Sequence, residues 1–104
     1  MTREAEWVIP LSERAQKRHW HGIERGKVVA FAVQLEVWIA GKWQPVVRYD
    51  AAHGFAHRDV YVSRTHKRKE ALGLELDEAL TQADDDIDEN WERYVTSFLR
   101  RTPE

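Results

Sequence analysis

Between residues 48 and 61 the sequence RYDAAHGFAHRDVY gathers His53, His57, Asp50, Asp59, Arg48 and Arg58 around a single Ala-His-Gly bend. These are the side-chain types that acid–base chemistry needs. An imidazole with its ordinary pKa near 6.5 exchanges a proton at neutral pH. A carboxylate beside it fixes its orientation, and a guanidinium stabilises negative charge on an oxyanion or a phosphate. The same set permits attack of an RNA 2′-hydroxyl on the adjacent phosphate without a metal. In that reading His57 is the acid or base, Asp59 or Asp50 orients it, Arg48 or Arg58 holds the phosphate, and His53 is a further catalytic candidate within the bend.

Two other readings of these residues stay open. His53, His57, Asp59 and Asp50 offer nitrogen and oxygen ligands of the sort found around Zn, Mn or Fe, so a divalent metal is the alternative to a cofactor-free site, although no consensus spacing supports it. In the structural reading, Asp50 closes an Asx turn, Gly54 supplies a positive φ, His53 donates to a turn carbonyl, and His57 with Asp59 is a surface ion pair worth under about 1 kcal/mol. Downstream, RTHKRK places Arg64, Lys67, Arg68 and Lys69 in one run. With Arg58 it forms a basic rim that can hold nucleic-acid phosphates by point charge, or simply a solvated loop. Trp20, Trp38 or Trp43 exposed beside it would stack on single-stranded bases. A Gly-rich phosphate loop, a nucleophile elbow and a His-Glu-x-x-His motif are all missing, which argues against a nucleotide-dependent enzyme.

The elements that must position these residues follow from periodicity. Residues 28 to 39 read as a strand with Val29, Phe31, Val33, Leu35, Val37 and Ile39 on one side and Gln34 and Glu36 on the other. Ala40-Gly41-Lys42 suits a tight hairpin into WQPVVRYD, where Pro45 marks either a sheet edge or a bulge. After the bend, His57, Asp59 and Tyr61 alternate with Val60 and Val62 in a third strand, which puts His57 and Asp59 on one face, joined by Asp50, Arg48 and Glu36. RHWHGI, paired through Glu24-Arg25-Gly26-Lys27, is a fourth strand whose His19 and His21 extend the same polar patch, and Ser12 to Lys17 add a helical turn before it. Leu76, Ala79, Leu80, Ala83, Ile87, Trp91, Tyr94, Val95 and Phe98 recur every three or four residues, the stripe of a long amphipathic helix. Asp84, Asp85, Asp86, Asp88 and Glu89 fall largely opposite that stripe as a solvated face; a calcium loop would need a Gly they lack.

The fold expected is therefore α+β: an antiparallel meander of three to five strands over about residues 18–63, a basic loop over 64–70, and a helix over about 76–100 packed on one face. The 104 residues suffice for one domain. Without cysteine there is no disulfide framework and no Cys-based zinc site, so cytoplasm is the default compartment. The longest near-apolar run, 28–40, is too short to span a bilayer and carries Gln34 and Glu36. Residues 1–69 carry thirteen Lys and Arg against seven Asp and Glu, a balance of +6, whereas residues 70–104 carry three against eleven, a balance of −8. A basic first part suits a polyanion or an acidic partner, and the acidic last part is either a solvated helix face or a surface that repels nucleic acid. In a non-enzymatic interaction module, the polar face or the acidic helix would bind a protein partner. An exposed edge strand leaves room for a homodimer.

The segment RYDAAHGFAHRD, followed by a basic stretch and then GLELDEALTQADDDIDENWERY, resembles a family of small prokaryotic domains of unknown function. Its members carry a Tyr-Asp-x-Ala-His-Gly and His-x-Asp signature ahead of a helix with Glu-Ala-Leu and Asn-Trp elements, and the likeness spans residues 28–98. A looser likeness is to TumE-type toxins of toxin–antitoxin pairs, which share the Asp and Ala-His turn. That likeness implies action on RNA and an antitoxin partner. This chain differs from them in having Asp59 where those toxins cluster histidines after the bend.

Overall fold

A computed structural model describes residues 2–51 and 54–102, and among them six strands precede one helix. They are β1 (Arg3–Pro10), β2 (Ala15–Glu24), β3 (Lys27–Ile39), β4 (Lys42–Asp50), β5 (His57–Tyr61), β6 (Lys67–Ala71) and α1 (Leu76–Arg101). The strands pair antiparallel in chain order, β1 to β6, as a single meander. The expected class is found, with six strands in place of three to five.

Local sequence explains the hairpins. At Arg25-Gly26 (φ 53° and 77°) and Ala40-Gly41 (φ 51° and 81°) both turn residues lie in the left-handed region. That geometry matches the twist of the flanking strands and favours glycine at the second position. Pro45 does not mark an edge, because β4 lies between β3 and β5. It sits at a bulge, where the register shifts between Leu35 and Glu36 and Val46 is the extra residue.

The odd-numbered residues Phe31 to Ile39 of β3 are fully buried beneath α1, with Val47 and Tyr49 of β4 beside them. From the helix come Ala79, Ala83, Ile87 and Phe98, flanked by partly buried Leu76, Leu80, Trp91, Tyr94, Val95 and Leu99. Truncating a residue such as Ile87 to Ala in a core of this kind costs about 2–5 kcal/mol. The helix start is tied to the sheet, because the Asp77 carboxylate accepts from the Val28 N–H at 3.3 Å. Asp77 and Glu78 in the first turn and Arg100 and Arg101 in the last complement the helix dipole.

Three local expectations are corrected. Ser12 to Lys17 form no helical turn; Ser12–Arg14 bend and Ala15 opens β2. The basic run is not a loop throughout, since Lys67–Ala71 pair with β5 as an edge strand. β1 is a further edge strand, so the sheet runs from residue 3 to residue 71.

Candidate functional site

Strand pairing decides which side chains meet, because residues paired across antiparallel strands share a face. On the face away from α1, one row runs Glu6, Trp20, Ala32, Asp50, His57, Ala71. The next runs Val8, Arg18, Gln34, Arg48, Asp59, Lys69, so four of the five catalytic candidates lie on two adjacent rows. Arg48, Asp50, His57 and Asp59, with Tyr61, Lys67 and Lys69, line one cavity of about 310 Å³. His53 lies outside the described residues.

The contacts within this cavity are polar and graded in strength. Arg48 donates to one oxygen of Asp50 from Nε (3.2 Å) and from a terminal nitrogen (3.0 Å), and to Gln34 Oε1 at 3.2 Å. Gln34 in turn donates to Glu36, as do Arg18 and Gln16, so a buried carboxylate anchors a hydrogen-bonded ladder across β2, β3 and β4. Asp59 is 7% exposed; Lys67 Nζ approaches one of its oxygens at 3.4 Å and Lys69 Nζ the other at 4.0 Å. Among the described residues, neither Asp50 nor Asp59 offers its carboxylate to the imidazole in a hydrogen bond. His57 Nδ1 instead faces the Asp50 carbonyl oxygen at 3.4 Å, and the exposed Phe55 ring packs edge-on against the imidazole at 5.4 Å.

Several predicted partners stand elsewhere. Arg58 alternates onto the helix side, where it pairs with Glu70 (2.6 Å) and donates to the Tyr94 hydroxyl (3.2 Å). It cannot clamp a phosphate beside His57. Arg68, opposite Val60, shares that side, so of the basic run only Lys67 and Lys69 face the cavity, while Arg64 is exposed in the turn before β6. His19 and His21 also face the helix side, because they pair with Val33 and Phe31. Trp20 lies on the open face, and Trp38 with Trp43 packs edge-on at a separate end of it.

The acidic helix run is only partly a solvated face. Asp84 and Asp88 reach one flank and receive Lys17 Nζ at 3.2 and 2.7 Å, and Asp84 also meets His19 Nδ1 at 3.3 Å. Asp86 reaches the other flank and accepts from the Tyr49 and Tyr94 hydroxyls, each at 2.7 Å, and from Asn90 at 2.9 Å. Burial, reinforced by Asp86, pushes both phenols up from their ordinary pKa. Burial acts to lower the Lys17 ammonium, but its bonds to Asp88 and Asp84 prevail and hold it raised. These clamps fix the helix over β2, β4 and β5, and among the described residues no helix covers the opposite face.

Among the described residues, no three His, Asp or Glu side chains come together as a metal-ligand set, and no helix is long and apolar enough to cross a membrane. The chain belongs to the DUF7718 family, a domain of unknown function, which it matches over residues 2–104. No curated protein and no solved structure matches it.

Proposed function

We propose that this member of a family without an assigned activity is a small ribonuclease-like protein, acting on RNA by acid–base chemistry that needs no metal. The observation that carries the reading is the convergence of His57, Arg48, Lys67 and Lys69 on one cavity together with Asp50 and Asp59. Three cations against two carboxylates leave a positive surplus before His57 is protonated, which suits a phosphodiester.

With Nδ1 donating to the Asp50 carbonyl, His57 Nε2 is the free base and takes the proton of the 2′-hydroxyl. The 2′-oxygen bonds to phosphorus, the bond to the 5′-oxygen breaks, and the leaving oxygen takes a proton from the Lys67 or Lys69 ammonium or from water. Arg48 and the lysines stabilise the charge that builds on the phosphoryl oxygens. Asp59 accepts a long hydrogen bond from Lys67 and attracts the Lys69 ammonium, 4.0 Å away, toward the cavity. The resemblance to TumE-type toxins extends the proposal to a toxin whose open face is covered by an antitoxin.

The test is incubation of RNA with the wild type and with His57→Ala, each with and without chelator. Cleavage that survives chelator and disappears in the variant supports the reading. No cleavage by the wild type overturns it, and loss with chelator transfers the chemistry to a metal. Growth arrest on expression, absent for His57→Ala, would support the toxin role.

A second reading, a protein-interaction module, is favoured by one feature. A groove of about 690 Å³ beside α1 is lined by Asp77, Glu78, Asp85, Asp86 and Glu89 around Arg58, and it suits a basic segment. A function that persists in His57→Ala but fails on charge reversal of Asp85 and Glu89 would select this reading.

A further inference from the structure

The open face carries a second hollow beside the cavity that holds His57. It measures about 240 Å³ and is bounded by Glu6, Arg18, Trp20, Ala32, Gln34 and Arg48. We infer that this hollow receives an unstacked nucleobase of the RNA whose phosphodiester lies over His57, an inference that rests on the reading proposed above.

Its shape follows from one small residue. In the row Trp20, Ala32, Asp50, His57, three sizeable side chains stand around a single methyl group, so the sheet surface dips at Ala32. One wall is the half-buried indole of Trp20, whose Nε1–H donates to Glu4 Oε1 at 3.0 Å. A ring that already has a hydrogen-bond partner loses less freedom on binding than an unanchored one. The rim is polar: Arg18, Gln34, Arg48 and Glu6 can meet the edges of a base, while Trp20 and Ala32 meet its face.

Arg48 ties the two hollows together. It lines both, and its guanidinium is held between Gln34 on one side and Asp50 on the other. A group bound at Trp20 and a phosphate at His57 are separated by three strand intervals, roughly 14 Å at the usual inter-strand spacing. One chain crossing the strands therefore engages both. A base can enter only if it has left its stack, so the substrate is single-stranded RNA and not a duplex.

Binding tests this without depending on cleavage. The probe is a fluorescein-labelled 2′-O-methyl RNA oligonucleotide, in which 2′ attack is blocked, titrated by anisotropy against wild type, Trp20→Leu, Trp20→Phe and Ala32→Leu. Trp20→Leu removes the stacking wall and Ala32→Leu fills the hollow without removing a contact, so each should raise Kd about tenfold, within the range of one base–aromatic stack. Trp20→Phe should stay within about threefold of wild type, since a ring remains. An abasic site scanned along the oligonucleotide should cost the wild type a similar factor at one position and cost Trp20→Leu nothing more there. Equal binding of duplex and single strand, indifference to every abasic position, equal losses by Trp20→Leu on intact and abasic strands, or no binding by the wild type would each overturn the inference. If the abasic-sensitive binding is present while RNA incubation yields no cleavage, the base site stands and the catalytic reading falls. If RNA is cleaved while binding is indifferent to Trp20 and Ala32, the catalytic reading stands and the base site falls.

Discussion

Asp50 and His57 face each other across the β4–β5 ladder, and the imidazole Nδ1 meets the Asp50 main-chain carbonyl, 3.4 Å away, while the Asp50 carboxylate is engaged by Arg48. A carbonyl oxygen only accepts, so Nδ1 carries the hydrogen and the lone pair sits on Nε2. The backbone therefore sets the tautomer. Asp50→Asn should lower kcat on RNA by less than about tenfold and act mainly on KM through Arg48, whereas His57→Ala should cost about 10²–10⁴ in kcat. Steady-state kinetics on one oligonucleotide separate the two. Equal kcat losses would show that the carboxylate, not the carbonyl, does the orienting.

Asp86 gathers three donors from Tyr49, Tyr94 and Asn90, with Arg58 at 3.9 Å. Tyr49 is fully buried, so removing its acceptor strands a hydroxyl away from water. Asp86→Ala should therefore destabilise the fold by about 1–3 kcal/mol, the cost of leaving a buried hydroxyl without its acceptor. Asp86→Asn, which keeps an acceptor oxygen, should cost less. Urea unfolding of the two variants checks the order.

Ala40 holds φ at 51° in the β3–β4 turn, a region that costs a residue with Cβ about 1–2 kcal/mol. Asn tolerates it and is the preferred first residue of such a turn before glycine. Ala40→Asn should raise stability by about 0.5–1 kcal/mol without touching the open face. The same denaturant series would reveal it, and an unchanged midpoint would mean that the turn is not strained.

These features are unequally legible in the sequence. β3 and α1 stand out because each has one face wholly apolar, and the alternation of His57, Asp59 and Tyr61 leads to the right shared face. That same alternation already excludes Arg58, which stands between His57 and Asp59 and must point the other way. The spacing of His19 and His21 puts them on one side, as found, but which side depends on β2–β3 register, and register is a tertiary property. The strand KRKEA has no apolar face at all, and only pairing with β5 makes it one. For the acidic run, the helical period separates it from the stripe. What periodicity does not supply is the presence of Lys17, Tyr49 and Arg58 at the two flanks.

At the alkaline end, three groups act in one direction. Tyr49 and Tyr94 are raised by burial and by Asp86, and Lys17 is raised because its bonds to Asp88 and Asp84 outweigh its burial. A raised folded pKa contributes stability that is fully present below the unfolded value, near 10 for all three, and is lost as pH rises through the folded one. Tm should therefore hold up to about pH 10 and fall beyond it. Tyr49→Phe should show a shallower alkaline fall than wild type in the same scanning experiment. A Tm that climbs above pH 10 would contradict the buried phenol network.

At the acid end, His19 governs. It is 2% exposed and stacked on Trp7 with ring centres 4.0 Å apart; Asp84 lies 3.3 Å from Nδ1, His21 Nδ1 lies 2.7 Å from Nε2, and Lys17 stands alongside. The carboxylate of Asp84 accepts the Nδ1 hydrogen, so Nε2 is left to accept from His21, and the ring is neutral. A second proton would break the His21 bond and place a cation in a buried site beside Lys17. Burial, the largest cause, therefore holds the His19 pKa below its ordinary value despite Asp84. A lowered folded pKa means that the unfolded chain takes up the proton first. Stability is thus present above about pH 6.5 and is lost as pH falls below it. His19→Phe keeps an aromatic ring against Trp7 but cannot titrate, so its urea midpoint should change less between pH 6.5 and 5 than that of the wild type. A wild type that gains stability over that interval, or a variant with an unaltered slope, would remove His19 from this role.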